Sequence, residues 1–154
     1  NAIFEGARNV VWPARMQRLK DGPLTALAPD QEIWLDGGHN PHAARAIARQ
    51  LNYMPGRTAL VAAMLASKDA TGYFMPFRQV RPEVFTLPNA PGHQGAEPQA
   101  LAEAATNAGL KAAACDSLEA ALKAAAATGV DRILICGSLY LAGEVLAQNG
   151  EPPV

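Results

Sequence analysis

From residue 31 onward the chain alternates short apolar runs with longer stretches of helical period. The runs at 33–36, 59–63, 84–87, 112–115 and 132–136 are framed by turn residues and have the length of buried strands. Between and after them, residues 41–53, 71–80, 98–108, 118–127 and 138–148 repeat apolar positions every three or four residues, the spacing of a helix that buries one face. Five strand–helix units in succession predict a mostly parallel sheet joined by crossover helices.

Turn chemistry supports these boundaries. Asn40-Pro41 and Glu97-Pro98 set proline in a first helical turn, where its missing N–H is not needed. Gly109 and Gly129 stand where helices stop, and Asp116-Ser117 offers a cap ahead of Leu118. Earlier in the chain, apolar runs at 16–19 and 24–27 flank Lys20-Asp21-Gly22-Pro23, an Asp-Gly turn that predicts a hairpin. Pro23 confines that hairpin to a sheet edge. The expected fold is therefore α/β: a Rossmann-like three-layer domain with an open, mostly parallel sheet of about six strands. Helices cover both faces, and an antiparallel edge element lies near the N-terminus. Residues 1–15 hold Ile3, Phe4, Val10, Val11 and Trp12 in no pattern that closes on itself, and read as the tail of a preceding domain plus a linker. Residues 16–154 read as one domain.

Composition narrows the partners. A chain of 154 residues, 49% hydrophobic and 18% charged, can bury a core of its own. Its 13 basic and 14 acidic residues leave a net charge of -1 with no basic block, which argues against nucleic acid. The apolar run at 59–66 falls far short of the roughly 20 residues that span a bilayer, and no secretory pattern opens the chain. Cys115 and Cys136 sit in or beside apolar segments, as buried thiols of a cytoplasmic protein do.

Ligands of such sheets bind beyond the carboxyl ends of the strands, so the loops there carry the candidate chemistry. The first is Asp36-Gly37-Gly38-His39-Asn40-Pro41. An acid ending a strand can accept from ribose hydroxyls, glycines admit a ligand close to the backbone, and a helix start offers free N–H groups. Helix capping by Asn40 with a tight glycine turn explains the same residues equally well. Gly137-Ser138 joins a hydroxyl to a helix start, which suits a carboxylate, although simple capping by Ser138 is again an equal account. His42 and His93 have no supporting motif, and no His/Cys/Asp/Glu set has zinc spacing. Tyr140, Leu141 and Leu146 follow at helical spacing and read as core. The Pro- and Gly-rich loop at 87–99, LPNAPGHQGAEPQ, reads as the most mobile segment.

Three stretches, in order, carry a family resemblance. LDGGHNPHAARAIARQL at 35–51 resembles the acid-Gly-small-His-Asn-Pro motif of the dihydrofolate synthase and folylpolyglutamate synthase family of Mur ligases. VVWPARMQRL at 10–19 resembles that family's Trp-Pro-small-Arg linker, and ICGSLYLAGEVL at 135–146 resembles its closing Gly-Ser-Leu-Tyr signature. The resemblance implies the carboxy-terminal domain of an ATP-dependent ligase that adds L-glutamate to dihydropteroate or a folate through an acyl phosphate. ATP and Mg2+ would be held mainly by an amino-terminal P-loop domain.

Residue by residue, the resemblance assigns Arg15 to the ATP phosphates and Asp36, Gly37 and Asn40 to the nucleotide. It places His39 near the substrate junction, orienting glutamate or phosphate, with a general-base role second. Lys68, in a Leu-x-x-Lys-Asp turn at 65–69, and Ser138 would meet a glutamate carboxylate; Lys68 also reads as a loop lysine paired with Asp69. The 87–99 loop departs from the arginine-containing pattern of many members. No G-x-x-x-x-G-K-[ST] occurs in these residues, so the chain alone is expected to be inactive, with the missing P-loop domain as its partner. Two alternatives stand beside this reading: a Mur ligase for peptidoglycan precursors, and a noncatalytic α/β nucleotide-binding module. A Rossmann dehydrogenase ranks low, because no G-x-G-x-x-G follows the first strand.

Overall fold

The computed structural model describes residues 15–151, and within them six strands form one sheet. The strands are β1 (Gln17–Arg18), β2 (Glu32–Asp36), β3 (Thr58–Ala62), β4 (Glu83–Thr86), β5 (Ala112–Ala114) and β6 (Arg132–Cys136). The helices are α1 (Pro41–Tyr53), α2 (Ala70–Phe74), α3 (Pro98–Asn107), α4 (Leu118–Ala127) and α5 (Leu139–Gln148). Residues 1–14 of the tail and linker expected at 1–15, with Trp12 and Pro13, lie outside the described residues.

The sheet order is β1-β2-β6-β3-β4-β5, with every pairing parallel except β1 with β2. β3 and β6 are buried along their whole length, as their unbroken apolar sequences require of central strands. Leu60, Val84, Leu134 and Cys136 pack on one face with α1, α2 and α3. Ile33, Leu35, Val61, Ile133 and Ile135 pack on the other with α4, α5 and the segment around Leu24. The three expected layers are present.

Registry aligns the strand ends. Asp36 pairs with Cys136, Cys136 with Ala62, Ala62 with Thr86, and Thr86 with Ala114, so one row of residues closes the carboxyl end of the sheet. Every loop after a parallel strand therefore starts from the same rim. Caps fix where the helices begin: Asn40, Asp69, Ser117 and Ser138 each accept a backbone N–H with a side-chain oxygen.

Two expectations fail. The residue 16–27 hairpin does not form: β1 pairs with β2, and Thr25–Leu27 is a 3-10 turn. Asn149 explains why, because its amide accepts from the Leu24 N–H at 3.0 Å and donates to the Lys20 carbonyl at 2.8 Å. Gly22 allows that approach, since a Cβ there would lie 2.6 Å from the Asn149 carbonyl oxygen. The helix at 71–80 is also shorter than expected, ending at Phe74 before a 3-10 turn at Met75–Arg78. Pro76 lacks the N–H an α-helix would use there. The 87–99 loop makes several contacts at its ends and middle. A bridge joins Leu65 to Gly95, and the Ala96 N–H donates to the Met64 carbonyl at 2.9 Å. The Thr86 hydroxyl donates to the Pro98 carbonyl at 2.6 Å.

Candidate functional site

Helix placement singles out β6. The helices that follow β2 and β3 cross one face, whereas α5, following β6 between them, crosses the other. The chain therefore diverges to opposite sides at both flanks of β6, the kind of switch point beside which open α/β sheets bind ligands. Asp36 to Asn40 border one flank, Lys68 lies on the loop after β3, and Ser138 begins α5 between them.

Asp36 is 5% exposed, and its carboxylate accepts from the Gly38 N–H at 2.7 Å and the Met16 N–H at 3.0 Å. The acid thus fixes its own loop and ties the entering chain to the rim. Burial raises its pKa above the ordinary 3.8, opposed by the two backbone hydrogen bonds and by the Arg15 charge. Arg15 and Asp36 line one hollow of about 220 Å³ against α1. Gly37 is buried, and Asn40 is exposed with its Oδ1 accepting from the Ala43 N–H at 2.8 Å.

Ser138 is 3% exposed and belongs to a small network. Its hydroxyl accepts from the Leu141 N–H at 3.1 Å and donates to Asn89 Oδ1 at 2.7 Å. Asn89 Oδ1 also accepts from the Ala90 N–H at 2.9 Å. Both contacts require an oxygen at that position, which leaves the Asn89 amino group as a donor. Gly137 makes the turn into this network: its φ of 99° suits glycine, and a Cβ would run into the Ala63 carbonyl oxygen.

Lys68 is half-buried and makes no ion pair among the described residues. Asp69 caps α2 instead, accepting from the Gly72 N–H at 2.9 Å. No hydrogen bond or ion pair among the described residues joins Lys68 to Asp36, His39 or Ser138. The rim brings these groups to one edge without linking them directly.

Three buried polar atoms near this rim have no hydrogen-bond partner: His39 Nδ1, Asn89 Nδ2 and the Tyr73 hydroxyl. Tyr73 is fully buried on α2, with the Cys136 thiol as its polar neighbour. Burial pushes that thiol up to about 12 and the phenol well above its ordinary 10.0; the Asp36 charge adds to both. Unpartnered buried polar atoms are uncommon; a fourth, Arg132 Nε, lies at the opposite end of the sheet.

Sequence reasoning missed Asn89, whose partner Ser138 lies 49 positions away. The only local signal was its place on a loop after a strand. Tyr140, expected in the core, is 44% exposed and stacks on His93 with ring centroids 3.6 Å apart; Leu141 and Leu146 are buried as expected. Cys136 is buried and Cys115 only partly so. Among the described residues no group of three or more His, Cys, Asp or Glu could hold a metal ion, and no helix is long and apolar enough to cross a membrane.

The family model described as Mur ligase, glutamate ligase domain, matches residues 14–139. Dihydrofolate synthase/folylpolyglutamate synthase of Escherichia coli is 28% identical over 148 residues, covering 95% of this chain and 32% of that protein. Folylpolyglutamate synthase of Lacticaseibacillus casei is 33% identical over 145 residues, covering 93% and 31%. This chain spans about a third of the length of these curated relatives. Among solved structures, the bifunctional folylpolyglutamate synthase/dihydrofolate synthase from Yersinia pestis, complexed with AMPPNP and Mn ion, matches at a TM-score of 0.70 and 26% identity. That match covers 95% of this chain and 33% of the other.

Proposed function

This chain belongs to the Mur ligase glutamate ligase domain family, and from that premise we propose that it is the closing domain of an ATP-dependent ligase adding L-glutamate to dihydropteroate or a folate. The observation that carries this reading is the carboxyl rim itself, where Ser138, Asn89 and His39 hold buried polar atoms next to a helix start. The names of the two curated relatives supply the substrate class. ATP as phosphoryl donor accords with the AMPPNP held by the Yersinia relative.

In the proposed reaction a phosphoryl group passes from ATP to the carboxylate of the pteridine substrate, and ADP leaves. The amino nitrogen of glutamate then attacks the carbonyl carbon, phosphate departs, and the nitrogen loses its proton as the amide forms. Catalysis of this kind rests on positioning and charge neutralisation. Arg15 would set its planar guanidinium against phosphate oxygens. Asp36, with Gly37 and Asn40 beside it, would face the nucleotide; its lone pairs not used by Gly38 and Met16 remain to accept ribose hydroxyls.

For glutamate, the Ser138 proton is already given to Asn89, so the donors left for a carboxylate are the Asn89 amino group and the first N–H groups of α5. Lys68 would add a positive charge. His39, through its unpartnered Nδ1, would orient glutamate or phosphate at the junction. The described residues offer no cluster for magnesium, so no step here is routed through a metal. A second domain would hold the triphosphate, since these residues contain no P-loop motif. A cytoplasmic setting fits the free thiols of Cys115 and Cys136.

The test is a ligation assay on protein carrying this domain together with a P-loop domain, offered dihydropteroate, folates and UDP-linked acids in turn. Amide formation with ADP release is expected only from the pteridine substrates. Arg15→Ala or Asp36→Ala should lower turnover about 100-fold. Ligation confined to UDP-linked acids, or near-normal turnover in both variants, would overturn the proposal. The 154 residues alone should show no ligation.

A further inference from the structure

Away from the rim, a hollow of about 900 Å³ opens between α1 and the turn that leads into β4. That volume lies at the upper end of the range for small-ligand sites. Arg45, Arg49, Arg78 and Arg81 line it with Asn52 and Gln79, over an apolar floor that includes Ala48 and Val80; no Asp or Glu contributes.

The pairing of arginines elsewhere makes this gathering informative. Arg18 and Arg132 face Glu32, and Arg57 donates to the Thr128 carbonyl at 3.1 Å. Arg15 feels the Asp36 charge. Among the described residues, the arginines whose side chains have no hydrogen-bond or ion-pair partner are Arg15, which has the Asp36 charge nearby, and the four that line this hollow.

Like charges one helical turn apart, as at Arg45 and Arg49, repel, and no acidic side chain among the described residues pairs with either. Arg81 adds a second oddity. Its φ of 54° is uncommon for a non-glycine residue, and its N–H is held by the Phe77 carbonyl at 2.9 Å. Val80 and Arg81 also border a second hollow, where Arg57 stands beside Lys111 and Glu83, a pair 3.9 Å apart.

We propose that this arginine-lined hollow binds a small linear polyanion bearing two or more carboxylates or phosphates, at a site separate from the carboxyl rim. Guanidinium groups grip either anion through paired N–H donors, and Arg45 and Arg49 stand about 6 Å apart along the helix axis, which suits successive anionic groups on one chain. The proposal stands independently of the ligase reading.

Two probes separate the anion sources: penta-γ-L-glutamate and inorganic tripolyphosphate, titrated into the chain by calorimetry and amide NMR. At least one should bind saturably, shifting signals at 45–49 and 78–81 and weakening as salt rises. The tighter of the two names the source. The Arg45→Glu, Arg49→Glu double variant should bind about 100-fold more weakly with an unchanged melting temperature. Arg15→Ala should bind as the parent does, separating this site from the rim. Absence of saturation for both probes up to about 10 mM, equal binding by the double variant, or loss of binding in Arg15→Ala would each overturn the proposal.

Discussion

At the amino end of the sheet Arg132 is 4% exposed: its terminal nitrogens donate to Thr58 Oγ1 at 2.8 Å and to the Pro55 carbonyl, while its Nε has no hydrogen-bond partner and lies 4.0 Å from Glu32 Oε1. At the carboxyl end, Asn89 and His39 keep buried nitrogens with no protein partner at all. The same five parallel strands therefore terminate in two different ways. At one end the buried charge is held mainly by acceptors of the chain itself, with only Arg132 Nε left over. The other end, in the proposed function, is the binding edge whose buried nitrogens await a ligand.

The largest expected effect tests that division from the open end. His39→Ala or Asn89→Ala, introduced into the proposed ligase, should lower glutamate ligation about 100-fold while shifting the melting temperature little. If either variant instead unfolds readily at unchanged specific activity, the two ends do not differ in kind. Arg132→Met tests the closed end and should cost about 3 kcal/mol in a urea unfolding titration, with turnover per folded molecule preserved.

Gly137→Ala bridges the two behaviours. The φ of 99° and the nearby Ala63 carbonyl predict a stability loss of about 2 kcal/mol, accompanied by weakened glutamate binding as the rim shifts.

The smallest effect is a pH dependence. Burial raises the Asp36 pKa above 3.8, so its protonated form is the one folding favours. Its contribution to stability is complete below that ordinary value and declines as pH climbs through the raised one. The stability of the parent relative to Asp36→Ala should fall across that interval, and a carboxyl titration followed by NMR should place the midpoint above 3.8.

The sheet and its crossover helices were legible because they depend on local pattern. α1, α4 and β6 begin and end where apolar spacing, Asn40, Ser117 and the Arg132–Cys136 run place them. The 16–27 segment was misread because its turn answers to Asn149, more than a hundred positions away, rather than to its own flanks. Tyr140 has the spacing of a core residue but faces His93, a pairing that local sequence cannot show. The motif loops after β2, β3 and β6 were placed correctly at strand ends, because parallel topology dictates that edge. Asn89 required the closed fold, since its value lies in what Ser138 uses and what it leaves free.

The reversal of crossover direction at β6 has a geometric consequence. Adjacent strands are spaced about 4.8 Å apart, so the openings on either side of β6 are closer together than the length of a glutamate or a nucleotide. In the proposed ligase, a ligand seated on one flank would form part of the wall met by a ligand on the other. Order of addition and mutual affinity would then be coupled through the width of a single backbone.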